Sequence, residues 1–294
     1  TLLARELRGK VLALRETGVR RSSCFGSLTN PARLPYWPNP VVIQAAQFFP
    51  DRPVEDVLQG FATQLVGPKF APALSAAWQD FEEALLSQPL VGLFCAFGFC
   101  WQRTWDRPFV PDLEAVPASE REYYERHGCF QHNNPSLGDL GKDVLFDLIT
   151  QESGAKMAAA MDEHVRPALA ALLDRLAKGA PNWTEQARPV FEDLRDRIRA
   201  YQHWVTSLRN VCAWCECVYG YLGSKDAGAK ADFERRLQGA IDLELENTRG
   251  LIELLRSTKA DVIALSAVSD QTFLYGENLV ELLQRKLDLT ERYR

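Results

Sequence analysis

Four groups of side chains in this sequence have types and spacings that chemistry uses. Cys212-Ala-Trp-Cys215-Glu-Cys217 sets three thiols within one short stretch, and thiolates so close bind zinc or iron where a loop lets them converge. The stretch Phe99 to Asp112 sets Trp101 and Trp105 among Arg103, Asp106 and Arg107. Indole planes cover the apolar face of a sugar ring while charged and polar groups bond its hydroxyls, so this is a carbohydrate-compatible set. His203, Asn210, Trp214, Cys217 and Tyr221 recur at helical spacing beside Arg209 and Glu216, a second surface of the same mixed character. His132-Asn133-Asn134-Pro135 adds an imidazole and two amides, as the lip of a polar pocket or as a turn that caps the next segment.

Each group also has a plainer reading. On a helix, Cys212 and Cys215 share one seam while Cys217 lies about 200° round the axis, so one ion cannot reach all three. No metal is expected, and the cysteines act as small apolar residues. The Trp214 face is either a sugar surface or a second packing face, and the tryptophans of the 99–112 stretch either shape a site or anchor their loop. Glu82-Glu83, Glu244 and Glu246 read as solvated helix faces, since no spacing places two of them at the separation glycoside hydrolysis needs. A glycine-rich phosphate loop, G-x-S-x-G and H-E-x-x-H are all absent from the sequence, and no cofactor is expected.

Helices must position these residues. Leu2, Leu3, Leu7, Val11, Leu12 and Leu14 fall near helical spacing with Gly18 as the stop, and Val19 to Phe25 follows as a β-capable stretch. Apolar stripes then predict helices over Val42–Phe49, Val54–Leu65 and Phe70–Leu85. Residues 90–152 break the rhythm with scattered glycine, proline and aromatic residues, and only Ser119 to Arg126 reads as a turn or two of helix. A stripe from Ala158 to Leu176 carries Pro167 and is expected to kink there.

The clearest pattern is a heptad seam from Ala187 through Phe191, Leu194, Ile198, Tyr201, Val205, Leu208, Cys212, Cys215 and Tyr219 to Leu222. It predicts one long helix capped by Thr184 and stopped by Gly223, with the stripe Leu237–Leu255 as its antiparallel partner. A last helix uses Phe273, Leu279, Leu283 and Leu287, and Val262 to Leu265 is the only β-like stretch of this half.

Composition bounds the classes. The 294 residues, 46% of them hydrophobic, suffice for one large domain or two ordinary ones. A net charge of −5 lacks the basic excess that a phosphate backbone attracts, so nucleic acid is not an expected partner. The apolar run Leu90–Cys100 is short and holds two glycines, so no membrane span is expected. Seven cysteines, an odd number, and an opening without a signal-peptide pattern favour a reduced, cytoplasmic setting over a secreted one, although the address itself is not legible.

The order of Gly18-Val19-Arg20, Asn39-Pro40, Phe61-Ala-Thr-Gln-Leu-Val-Gly67, Ala76-Ala-Trp78, Trp105-Asp-Arg-Pro-Phe-Val-Pro111 and Tyr275-Gly-Glu-Asn278 resembles the C-terminal part of large bacterial glycoside-hydrolase-like proteins. In these α-glucuronidase-like enzymes a (β/α)8 barrel precedes an α-helical domain. The resemblance implies a mainly α fold: residues 1–38 as the last helix-strand unit of a barrel, 39–152 as helices with a long aromatic-rich irregular segment, and 153–294 as a helical bundle. Barrel sites lie at the C-terminal ends of the strands, which would turn Ser22 to Leu28 and the loop through Tyr36-Trp37 toward the site. It further implies that any catalytic carboxylates lie outside this chain. The expected substrate-binding residues are Trp37, Trp101, Arg103, Trp105, Asp106, Arg107, His132, Asn133, Arg209, Trp214 and Glu216. Carbohydrate is the expected ligand, with an upstream barrel domain or a second copy as partner. The alternative is a structural or oligomerisation bundle without catalytic activity.

Overall fold

The computed structural model describes residues 3–19, 34–89, 105–112, 115–126, 150–263, 265–266 and 275–294. It is mainly helical: α1 (Ala4–Glu16), α2 (Asn39–Phe48), α3 (Val54–Val66), α4 (Ala71–Leu86), α5 (Ala118–Arg126), α6 (Gln151–Ala160), α7 (Arg166–Gly179), α8 (Arg188–Gly223), α9 (Ala227–Ser257) and α10 (Leu279–Tyr293). Two strands of two residues, β1 (Leu265–Ser266) and β2 (Tyr275–Gly276), pair in parallel with Leu265 opposite Tyr275. The chain divides into two compact units: residues 1–88, 167–198 and 259–263 form the first, and residues 89–166, 199–258 and 264–294 the second.

In the first unit α1 packs on α2 and α3, and α3 packs on α4. The ends of these helices follow from single residues. Gly18, at φ +80°, closes α1: its N–H bonds the Arg15 carbonyl and the Val19 N–H bonds the Leu14 carbonyl. Gly67, at φ +76°, ends α3 in the same left-handed region. The interior is aromatic, with Phe61 stacked on Trp78 at 5.8 Å and Trp37 edge-on to Phe81 at 6.4 Å.

The expected barrel remnant finds no support here. Ala4 is fully buried in a helical unit, and the Leu3 N–H donates to Asn39 Oδ1 at 3.3 Å. The Arg5 N–H donates to Glu82 Oε1 of α4 at 2.8 Å, so another helix supplies the cap that Leu3 cannot. The Val19 backbone serves the α1 stop rather than a strand, and the remainder of the expected strand lies outside the described residues. Residues 4–16 and 39–86 thus share one helical core.

Glu82 also corrects the reading of this carboxylate as solvated, because it is fully buried. It sits at a position on α4 whose neighbours Trp78, Phe81 and Leu85 are themselves core. Burial holds its carboxyl above the usual carboxylate range, against the lowering pull of the Arg5 and Glu6 N–H groups.

The second unit is organised by α8 from Arg199 onward and by α9. Contacts pair His203 with Asn247, Ser207 with Glu244 and Glu216 with Arg236, so α9 runs antiparallel to α8, as the two stripes predict. Thr184 accepts the Ala187 N–H at 3.3 Å, and Asp226 caps α9 through the Ala229 N–H at 2.7 Å. Where the two helices converge, a Cβ on Gly220 would lie 2.2 Å from the Phe233 ring. α10 packs on α9. Just before Pro167, where a disturbance is expected, Met161–Val165 is π-helical, with the Arg166 N–H bonded to the Met161 carbonyl.

Two outcomes follow. An acid held above its unfolded pKa binds its proton more tightly in the folded state, so folding is favoured less as pH rises through that window. Glu82→Gln keeps an oxygen for the Arg5 N–H and sheds the charge. It raises the melting temperature at about pH 8, with the gain fading toward about pH 4; a lower melting temperature at the alkaline end contradicts this. Gly220→Ala costs about 1–2 kcal/mol in urea unfolding, but in a Phe233→Ala background the same change stabilises by about 0.5–1 kcal/mol through helix propensity. Equal effects in both backgrounds would clear the ring of blame.

Candidate functional site

Between Val205 and Val218 helix α8 is buried on nearly every face. The heptad seam holds Val205, Leu208, Cys212 and Cys215, while the opposite face carries Asn210, Trp214 and Cys217, also covered. A helix enclosed all round must satisfy its polar side chains from its neighbours, and here they converge on one carboxylate. Glu244 of α9 is fully buried; its Oε1 accepts the Ser207 hydroxyl at 2.7 Å and its Oε2 accepts Asn210 Nδ2 at 2.8 Å. Lys286 of α10, 1% exposed, closes the arrangement by donating to Glu244 Oε1 and, at 2.6 Å, to the Trp105 carbonyl.

The bonds continue outward with a fixed sense. Asn247 Nδ2 donates to Ser207 Oγ at 3.0 Å and to the His203 carbonyl at 2.9 Å. Both protons of that amide are used, so its oxygen receives His203 Nδ1–H at 2.8 Å and the tautomer is set. Burial lowers the His203 pKa, against the raising pull of the Asn247 hydrogen bond. Gly250 makes the space: a Cβ there would stand 2.8 Å from His203 Cε1.

Residues 105–112 cover the knot. Phe109 is edge-on to Trp214 at 5.3 Å, and the Phe109 N–H donates to Thr290 Oγ1 of α10 at 3.2 Å. The Arg107 guanidinium lies 4.9 Å from the Phe109 ring centre and 5.8 Å from that of Trp214. Asp106, fully buried, accepts the Tyr123 hydroxyl of α5 at 3.1 Å.

The two stretches that the residue types single out, 105–112 and the Trp214 face, are therefore in contact, but as interior. Trp105 is 5% exposed, Arg107 1%, and Asp106 and Trp214 are fully covered. Arg209 bonds Asp162 at 2.9 Å and Asn210 Oδ1 at 3.3 Å, and Glu216 pairs with Arg236. Trp37 belongs to the first unit, where Phe81 and the Arg197 guanidinium, 5.8 Å from its ring centre, hold it. Trp101, Arg103, His132 and Asn133 lie outside the described residues.

Cys212, Cys215 and Cys217 are buried thiols in no disulfide; burial raises the Cys212 thiol strongly and pushes Cys217 up to about 11. Among the described residues no three potential metal ligands converge, and no helix is long and apolar enough to cross a membrane.

Glu244 corrects a second expectation, that of a solvated face. It lies on the apolar stripe Leu237, Ile241, Leu245 and Leu251, and Lys286 interrupts Leu279, Leu282, Leu283 and Leu287 in the same manner. An acid in one core stripe and a base in another is the signal that pairs them.

The chain matches no protein-family model, no curated protein and no solved structure.

Removing one partner of a buried ion pair leaves an uncompensated charge. Lys286→Met therefore costs about 3–5 kcal/mol in denaturant unfolding, and adding Glu244→Gln recovers at least about 1 kcal/mol of it. Simple addition of the two single costs would mean the groups are not coupled.

Proposed function

We propose that this chain is the helical region of a carbohydrate-active, glycoside-hydrolase-like protein. It contributes to a sugar site and does not supply the catalytic carboxylates. The observation that carries this reading is the junction of the 105–112 loop with the Trp214 face, where Phe109 meets Trp214 and Arg107 lies over both rings. Trp214 is covered, so it backs the loop rather than touching a ligand. The contacts to sugar on this reading come from Trp101 and Arg103, which precede the loop in sequence, with His132 and Asn133. The Glu244–Lys286 knot fixes the 105–112 loop through the Trp105 carbonyl. Assignment of a non-catalytic role is supported by the interior carboxylates, which are engaged: Glu244 by Lys286, Ser207 and Asn210, and Asp106 by Tyr123.

A second reading, an assembly bundle, is favoured by one feature of the first unit. Phe48 and Phe49, at the end of α2, are 73% and 63% exposed, and adjacent bare phenyl rings suit a second copy better than water.

Titrating neutral and uronic-acid oligosaccharides into the chain while following tryptophan emission separates the two. The first reading expects a saturable change that Trp101→Ala abolishes without lowering the melting temperature; an unchanged response in Trp101→Ala counts against it. Sedimentation at high concentration tests the second, which expects association that Phe48→Ser weakens, and which a strict monomer overturns.

A further inference from the structure

Outside the knot, the first unit has a hollow of about 290 Å3 between α4, α7 and the start of α8. Its walls are three aromatic rings: Trp183 stacked on Phe191 at 4.9 Å and nearly parallel, and Phe70 edge-on to Phe191 at 6.5 Å. Gly179 forms part of the floor, and the Trp183 indole lies across it, so that a Cβ there would meet Nε1 at 3.3 Å. Aromatic walls over a small-residue floor suit a flat apolar body, and this volume holds roughly ten to fifteen heavy atoms.

The lining carries one cation and one amide. Arg175 and the Asn182 amide border the opening, and the Lys69 ammonium stands 5.2 Å from the Phe70 ring centre. Arg175 is held by Asp80 through one terminal nitrogen, in a pair that is solvent-exposed on both sides. Such pairs contribute little and exchange readily, and the other N–H groups of the guanidinium are left for a ligand. The hollow also opens beside the start of α4, which has no side-chain cap. Phe70 is its N-cap residue, Pro72 carries no N–H, and the Ala73 N–H points along the positive end of the helix.

We propose that this hollow binds a small aromatic or alicyclic carboxylate, its ring between Trp183 and Phe70 and its carboxylate at Arg175 and Asn182. A neutral ligand of the same shape would gain nothing from the guanidinium N–H groups that Asp80 leaves over, and a strongly hydrated anion would leave the rings uncovered. The inference is independent of the sugar reading, because it concerns residues of the first unit alone.

The test uses the full chain with naphthalene-2-carboxylate and, as its neutral match, 2-naphthalenemethanol, in calorimetric titration. The carboxylate is expected to bind one to one in the micromolar to low millimolar range, about fivefold or more tighter than the alcohol. Arg175→Gln, at an exposed position, removes that preference and leaves alcohol binding unchanged. Ala76→Trp, also at an exposed position lining the hollow, fills it and abolishes binding of both, with an unchanged melting temperature showing that the fold survives. Emission changes on binding are lost in Trp183→Phe. Absence of saturable binding overturns the proposal. So does equal affinity for acid and alcohol, which would make this a merely apolar hollow, and so does binding that Ala76→Trp leaves intact, which would place the ligand elsewhere.

Discussion

A carboxylate sealed inside a protein must be matched, and the second unit is arranged around how Glu244 is matched. Two segments meet at its two oxygens, α8 through Ser207 and Asn210 and α10 through Lys286, and the 105–112 loop joins them through the Trp105 carbonyl, which accepts from the same ammonium. Hydrophobic contact alone is tolerant of sliding, because one leucine stripe packs against another in several registers. Directional bonds are not tolerant. A one-turn slip of α10 would move Lys286 by about 5.4 Å and leave two buried charges without partners. The network therefore fixes register where the apolar seam would leave it open.

That constraint explains why small and large residues alternate along the α8–α9 contact. At one end Gly220 admits the Phe233 ring; toward the other, Gly250 admits His203, whose Nδ1–H terminates the bond chain at Asn247. Glycine inside a helix costs about 1 kcal/mol relative to alanine, so each is expected only where a neighbour needs the room. The two close approaches bracket the polar knot and bring the helices near enough for the short side chains Ser207, Asn210 and Asn247 to reach across. Longer side chains at these positions would meet the same partners only by folding back, with a larger loss of rotamer freedom.

The helical framework was legible because its signals are local and periodic. Gly18 and Gly67 stop their helices at positive φ, Thr184 accepts the Ala187 N–H, and the seam that starts at Ala187 is buried at Phe191, Leu194, Ile198, Val205, Leu208, Cys212 and Cys215, while its last residue, Leu222, is exposed. What periodicity could not supply was the environment of a charge. Glu82 and Glu244 look like surface residues when judged by type, and their burial is visible only once each is placed on its stripe beside core neighbours. The barrel reading of the first residues failed for a related reason. A helix followed by a β-capable stretch fits either an α/β unit or a helix with a glycine stop, and long-range partners such as Asn39 and Glu82 decide between them. As to the candidate site, residue types marked the 105–112 loop and the Trp214 face and left open whether they bind a ligand or pack; both are packed into the interior, and their mutual contact has no signal in the spacing.

Burial changes what these residues can contribute to a function. A general acid in glycoside hydrolysis must reach a glycosidic oxygen, and a nucleophile must reach the anomeric carbon. Glu244 reaches neither while its oxygens receive a lysine, a serine and an asparagine, and opening the knot to free it would separate an ion pair in an apolar surround. The same reasoning gives Trp214 a supporting part: with Phe109 against its face and Arg107 above, its ring transmits position rather than binding energy. The loop itself is anchored at Phe109 by Thr290 and at the Trp105 carbonyl by Lys286. Recognition of a polyhydroxylated ligand depends on such preorganisation, since each hydroxyl pairs with a donor or acceptor at nearly fixed distance and little affinity survives if the protein must order itself first.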